Sequence, residues 1–187
     1  GGCKMKQESN VRYILRLALT LFAICAVVSA LLAGVNAITK HKIAAIQQEK
    51  VHQALLQVQP NAIGLQKQEL TVNNGIVTAF YAAGHHYAVE VRPAGFDGLI
   101  TMMVGISEGK VTGIAIVSHT ETPGLGAVAA ADSAKGEAFR NQFLGLVNGI
   151  VVDGEENSID SMSGATITSK AVTAGVNAAL DFVANLG

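Results

Sequence analysis

The chain has 187 residues, 50% of them hydrophobic, and its 13 Lys and Arg residues nearly balance 14 Asp and Glu residues. Positions 1–59 hold seven basic and two acidic residues, whereas positions 60–187 hold six basic and twelve acidic ones, and this acidic part lacks the basic face that nucleic acids require. Both cysteines, Cys3 and Cys25, lie in the basic part, which excludes a disulfide framework, an iron–sulfur cluster on Cys ligands and C-x-x-C-H haem attachment in the rest.

The first predicted element is a membrane-spanning helix over 17–39, preceded by an N-terminal tail, 1–16. The 17–39 stretch contains no charged residue, and as a helix it would be roughly 35 Å long, enough to cross a bilayer core. A cleaved signal peptide ending near 28–30 is the alternative, but the apolar run exceeds the usual length of such a segment. The flanking Lys and Arg residues are almost balanced and lean towards a cytoplasmic N-terminus.

A helical stalk is predicted over 40–59. Its apolar residues Ile43, Ile46, Val51 and Leu55 recur at helical spacing. The helix should end before Pro60, because the residue before a proline disfavours helical geometry.

The remaining residues, 60–187, are predicted to form one α+β domain. Strands and helices occur there without a regular β-α-β alternation. The predicted strands are 70–82 (with a turn at 73–75), 87–91, 99–107 and 110–118, and the predicted helices are 133–146 and 169–186. The last two strands should form a hairpin through Glu108 and Gly109.

Positions 119–127, HTETPGLGA, follow the last predicted strand. They include a G-x-G-x-x-A match at 124–129, but no acidic residue occurs about 20 residues further on at the end of a second parallel strand, so a dinucleotide site is rejected. Two interpretations remain. One is a Pro-Gly turn with a flexible exit; the other is a loop whose backbone lies flat against a ring system.

Positions 160–166, DSMSGAT, precede the last predicted helix. A helix N-terminus favours phosphate, Gly164 allows close backbone approach, and Ser163, Thr168 and Ser169 add hydroxyl donors. Asp160 would repel phosphate, so it either holds the loop or binds a metal or a partner enzyme. An ordinary helix capped by Ser or Asp is the alternative.

Two of these segments resemble a known family. D-x-x-S-G-A-T at 160–166 resembles the flavinylation motif of the FMN-binding domain family, and E-T-P-G-L-G at 121–126 resembles its second signature. The order of span, stalk and domain is similar to the G subunits of Rnf complexes, which are ion-translocating ferredoxin:NAD⁺ oxidoreductases. The C subunits of sodium-translocating NADH:quinone reductases share both motifs, but in usually longer chains.

The resemblance implies FMN joined by a phosphoester to Thr166 and attached by a flavin transferase that uses FAD and Mg²⁺. The transferase would recognise Asp160, Ser163, Gly164 and Ala165. Six residues would line the cofactor: Glu121, Thr122, Gly124, Leu125, Gly126 and Thr168. His119 would either touch the flavin edge or pack the loop.

The resemblance also implies a single-pass subunit of the inner (plasma) membrane with an extracytoplasmic C-terminal domain. It would pass electrons between neighbouring membrane subunits of the Rnf complex and have no turnover as an isolated chain. The five histidines lack zinc-type spacing, so no metal site is expected. The rival interpretations are a C-type subunit of the quinone reductase, a non-redox extracytoplasmic binding domain on a membrane anchor, and a cofactor-free regulatory protein.

Overall fold

A computed structural model describes residues 4–59, 64–69 and 75–186. The chain divides into two compact units, Gly1–Ile46 and Gln47–Gly187. Helix α1, Lys4–Val58, contributes to both. Among the described residues it is the one helix long and apolar enough to cross a membrane, judged by length and composition. The helix predicted over 17–39 lies within it, as does the stalk predicted over 40–59 except for its last residue, and the segment predicted as a tail is helical from Lys4 onward.

The second unit is built on an antiparallel sheet with its strands in chain order. The strands are β1 Gln66–Gln68, β2 Val77–Ala83, β3 His86–Val91, β4 Thr101–Ser107 and β5 Lys110–Ser118. The predicted hairpin is confirmed, because Ser107 pairs with Lys110 and the two residues between them both have positive φ. A short parallel pair, β6 Val151–Val152 and β7 Ser158–Ile159, lies outside this sheet.

Two predicted strands begin later than expected. Of the strand predicted over 70–82, positions 70–74 lie outside the described residues, and β2 begins at Val77. The strand predicted from position 99 begins at Thr101, because Leu99 instead forms an isolated bridge with Ala94. The chain between β3 and β4 therefore folds back on itself as a short loop.

The two predicted helices of the domain exist with different ends. Helix α2 spans Ala134–Asn141, and the Ser133 side chain caps it by accepting from Gly136 N at 3.2 Å. The prediction that it continues to position 146 was wrong, since Gly145 N donates to Val111 O and Val111 N donates to Leu146 O. Residues 142–144 make turn bonds to carbonyls three residues earlier, and Gly145, with φ +77°, ends this run beside β5. Helix α3 spans Thr166–Ala184 and begins three residues before the predicted start.

Each face of the sheet is covered by different elements. On one face Val89, Val104 and their neighbours pack with α3, whose predicted apolar residues Val172, Val176 and Leu180 are all buried. The predicted α+β class is confirmed, and this packing fixes the start of α3 beside the loop that leaves β5.

The other face of the sheet is covered by the C-terminal turns of α1. Ala54 and Val58 are buried there against Ala88 and Met103. Two hydrogen bonds add to this packing, one from Thr112 Oγ1 to Val58 O at 2.8 Å and one from the Gln59 amide to Ile106 O at 3.0 Å. The end of α1 is therefore part of the core of the second unit.

Candidate functional site

The loop after β5 and the start of α3 enclose one cavity of about 320 Å³. Its lining residues come from three segments: Phe96; Glu121, Thr122, Leu125 and Gly126; and Gly164, Ala165, Thr166, Ile167 and Thr168. Eight of these are residues that the sequence analysis singled out. Segments about 40 positions apart in the chain thus meet at a single concave site.

Glu121 ties the three segments together. Its side chain is 5% exposed. Oε1 accepts from Phe96 N at 2.8 Å and from Asp97 N at 3.3 Å, while Oε2 accepts from the Thr168 hydroxyl. A carboxylate is well suited to this role, because it offers only acceptors and its hydrogen bonds are stronger than those of neutral groups.

Two glycines allow the segments to come this close. A Cβ atom on Gly126 would collide with the Glu121 carboxylate and the Thr168 hydroxyl. Gly164 has φ +74°, a conformation that glycine adopts without strain, and a Cβ there would lie 3.1 Å from Leu125 Cδ2. The contact between the loop and the turn before α3 therefore requires glycine at positions 126 and 164.

The N-terminus of α3 has no side-chain cap. The N-cap residue is Ala165, which offers no side-chain acceptor. Within the described residues, the N–H groups of Thr166, Ile167 and Thr168 have no acceptor. Free amides at the positive end of a helix dipole are suited to a phosphate. Since this end lines the cavity, a phosphate there would lie inside the site.

The two threonines of this helix start differ in environment. Thr166 is exposed, and its hydroxyl makes no hydrogen bond to any residue that the structure describes. Thr168 is 2% exposed and donates to Glu121. Of the two hydroxyls, only that of Thr166 is thus both accessible and free to react.

The remaining predicted residues line a neighbouring cavity of about 330 Å³. Gly124, Asp160 and Ser163 lie there, and Leu125 forms the wall shared by the two cavities. Asp160 and Ser163 are exposed, and within the described residues the Asp160 carboxylate has no hydrogen-bond partner. Asp160 is therefore not the loop-holding group that the sequence left as one option.

Sequence reasoning missed two residues that line the first cavity. Phe96 and Ile167 are 66% and 55% exposed there. Ile167 could have been inferred from its place beside Thr166. Phe96 lies in a loop held at the site by its backbone, which donates to Glu121 and accepts from the Thr120 hydroxyl at Asp97 O. His119 is not among the lining residues, and its buried Nδ1 has no hydrogen-bond partner within the described parts of the chain.

Comparison with known proteins gives two family matches along the chain. The family model for the FMN-binding domain matches residues 95–181, and that for the RnfG N-terminal region matches residues 5–58. The G subunit of the Na⁺-translocating ferredoxin:NAD⁺ oxidoreductase complex of Acetobacterium woodii is 32% identical, with 98% of each chain covered. The chain belongs to the RnfG family.

Other members of this family agree. The G subunit of the ion-translocating oxidoreductase complex of Methanosarcina acetivorans is 30% identical over 94% of this chain and 97% of its own. A more distant solved structure is the C subunit of the Na⁺-translocating NADH-quinone reductase of Parabacteroides distasonis. It is 23% identical, with a TM-score of 0.46 over 58% of this chain and 60% of that chain. The resemblance to the G subunits of Rnf complexes is thus confirmed, and the FMN-binding domain includes every residue that lines the first cavity.

Proposed function

We propose that this RnfG family member carries covalent FMN and passes electrons within a membrane-bound, ion-translocating ferredoxin:NAD⁺ oxidoreductase. The observation that carries the proposal is the single cavity formed by the loop 121–126 and the start of α3, with the free Thr166 hydroxyl on its wall. FMN bound there supplies the ability to accept and release electrons, which no metal or thiol cluster among the described residues offers.

The donor set of the cavity fits FMN at both of its ends. The uncapped amides of Thr166, Ile167 and Thr168 suit the phosphate, and the Thr166 hydroxyl lies beside them. Phe96, Leu125 and Ile167 provide apolar surface suited to a ring system. Glu121 does not have to contact the cofactor to matter, because it fixes the loop to the helix start.

The phosphoester to Thr166 would form in one transfer step on a partner enzyme. The Thr166 oxygen would bond to the phosphorus of the FMN half of FAD while the bond to the adenylate half breaks. AMP then leaves, and the hydroxyl proton passes to a base or to water. Asp160 is suited to contact the flavin transferase or its Mg²⁺, because its carboxylate is exposed and engaged by no described residue.

The attachment is tested by intact mass of the chain after it is produced with a flavin transferase. The wild-type chain should carry one FMN moiety that survives denaturation, and Thr166→Ala should carry none. Ser133→Ala is the control, because Ser133 is an exposed hydroxyl outside the motif, and it should keep the covalent FMN. Covalent flavin on Thr166→Ala would place the bond elsewhere.

The proposed placement is a single-pass protein of the inner membrane, with residues 17–39 as the span and 60–187 as an extracytoplasmic FMN-binding domain. The apolar part of α1 and the family's membership in ion-translocating complexes support it. The test is Lys67→Cys in a chain that also carries Cys3→Ser and Cys25→Ser, so that the one thiol lies in an exposed strand. That thiol should react with an impermeant reagent added from outside spheroplasts. If the thiol reacts only after the cells are opened, the domain lies on the cytoplasmic side and the proposed orientation is wrong.

A further inference from the structure

Three successive backbone amides of the segment before α3 donate to side chains. Asp160 N donates to Gln142 Oε1 at 2.7 Å, and Ser161 N donates to Asp153 Oδ1 at 2.7 Å. Met162 N donates to Ser169 Oγ at 3.0 Å. The acceptors, Gln142, Asp153 and Ser169, come from the end of α2, the loop after β6 and the first turns of α3.

This arrangement fixes a segment that has no regular secondary structure. Residues 160–165 lie between β7 and α3, and backbone amides usually find their partners in helices or sheets. Here side-chain oxygens accept the hydrogen bonds that a neighbouring strand would otherwise accept. In the turn that follows, Ala165 N donates to Met162 O at 2.9 Å. Meanwhile the side chains of Asp160, Ser163 and Thr166 remain exposed. The segment 160–166, called the attachment segment below, is thus held by its backbone and presents its side chains outward.

We propose that Gln142 and Asp153, together with the buried Ser169, are positioning residues that hold the attachment segment in the conformation read by the flavin transferase. They would thereby set the rate at which FMN is joined to Thr166. This inference rests on the proposed function. Its physical basis is preorganisation, because an acceptor segment that is already ordered does not lose conformational entropy when the enzyme binds it.

The chemistry of Asp153 supports this role. Hydrogen bonds from the backbone and side chain of Ser161 lower the pKa of the Asp153 carboxyl, so the ionised form is the one that holds the segment. Asp153 has φ +56°, a conformation that asparagine and glycine tolerate well. Asp153→Asn therefore keeps an acceptor and the backbone geometry, whereas Asp153→Gly keeps the geometry and removes the acceptor.

The experiment measures flavin transfer to the full chain in detergent. The chain is purified without flavin from cells lacking the transferase and is then given purified transferase, FAD and Mg²⁺. Initial rates at varied chain concentration give kcat/KM. Gln142→Ala and Asp153→Gly should each lower kcat/KM by about three- to tenfold, the loss expected for one hydrogen bond. Asp153→Asn should stay within about twofold of wild type, because it retains the accepting oxygen. Gln142→Glu retains an acceptor but loses the 3.4 Å bond that Gln142 Nε2 donates to Asp160 O, so its kcat/KM should lie between those of wild type and Gln142→Ala.

Two further measurements separate positioning from a general structural effect. Asn185→Ala is the matched control, since it removes an amide that caps the far end of α3, and it should leave kcat/KM unchanged. Amide hydrogen exchange of the flavin-free chain should be faster over 158–165 in Gln142→Ala and Asp153→Gly, and unchanged in Asn185→Ala.

The inference is overturned if Gln142→Ala and Asp153→Gly are modified at the wild-type kcat/KM. It is also overturned if Asp153→Asn loses as much kcat/KM as Asp153→Gly. If Asp153→Gly does not fold, a loss of more than about twofold in Asp153→Asn overturns it. A wild-type chain that accepts no flavin, or a Thr166→Ala chain that does, would instead refute the proposed function.

Discussion

Replacing Glu121 tests the proposed bridge between the loop, the 96–97 backbone and α3. Glu121→Ala leaves the N–H groups of Phe96 and Asp97 and the hydroxyl of Thr168 without their acceptor. A buried donor left unpaired costs about 1–3 kcal/mol, and of the three donors only the Thr168 hydroxyl is fully buried, whereas those of Phe96 and Asp97 are partly exposed. A total of about 2–4 kcal/mol is therefore expected. That is a large fraction of the ~5–15 kcal/mol that stabilises a typical domain.

Glu121→Gln should lower the free energy of unfolding less than Glu121→Ala. The amide oxygen can still accept from Phe96 N, and the amide N–H₂ group can donate to Thr168, whose hydroxyl also accepts. Only the extra strength of bonds to a charged acceptor is lost, about 1–2 kcal/mol in all. The free energy of unfolding is measured on the fragment 40–187 or on the full chain in detergent. Equal losses in the two variants would show that charge, not hydrogen bonding, is what Glu121 contributes.

The same Gln variant tests the electrostatics of the cavity. A buried carboxylate disfavours negative charge on a neighbouring group, so its removal should raise the flavin potential, by about 30 mV for each ~0.7 kcal/mol in a one-electron step. Flavin content should stay constant. Spectroelectrochemical titration beside wild type gives the potential, and an unchanged value would place the ring away from position 121.

Three further outcomes are expected. Leu125→Ala should speed the reaction of reduced flavin with oxygen and alter its fluorescence without loss of flavin, because Leu125 is the wall shared by both cavities; unchanged behaviour would remove it from the ring site. Asp160→Ala should fold normally but block flavinylation when transferase and FAD are supplied, and full modification would leave Asp160 without a role. Deleting residues 1–39 should give a soluble domain with a defined unfolding transition. Deleting residues 1–59 should instead cause aggregation, because it removes the buried Val58. Similar behaviour of the two fragments would contradict the packing of α1 on the sheet.

Strands β2 to β5 were predictable from local pattern, and the meeting of the two motifs followed from the family resemblance. Strands β1, β6 and β7, of two or three residues each, are too short to show an alternating pattern and were not predicted. The hairpin at Glu108–Gly109 needs only two residues with positive φ between β-rich runs. The position of Phe96 could not be predicted, since a backbone N–H that donates to Glu121 has no signature in the sequence. The end of α2 was misjudged for a different reason. Phe143, Leu144 and Leu146 are apolar residues that suit a helix, but Gly145 has φ +77° and its N–H donates to Val111 O. A glycine in this conformation commonly ends a helix, and the prediction gave it too little weight.

The start of α3 was misplaced because the sequence offers better caps than the one that is used. Ser163, Thr166 and Thr168 are all candidates by propensity, yet the N-cap is Ala165, a residue among the poorest for that position. A Ser or Asp at 165 would stabilise the helix by about 1 kcal/mol, but its oxygen would accept from the amides that a phosphate needs. Position 165 therefore lacks the residue that would stabilise the helix best, and departures of this kind are expected at functional sites.

The positions of Thr166 and of the end of α1 are linked through the sheet. Helix α3 packs on one face, and Ala54 and Val58 pack on the other. Strands β3, β4 and β5 contribute alternate residues to both faces, so Val89 and Ala88, or Val104 and Met103, connect the two cores directly. Protein interiors are close-packed and barely compressible, so a displacement on one side of the sheet is transmitted to the other. A cofactor on Thr166 would therefore keep a fixed position relative to residues 47–58, which is what an electron carrier needs if its distance to a neighbouring subunit is to be set by the fold.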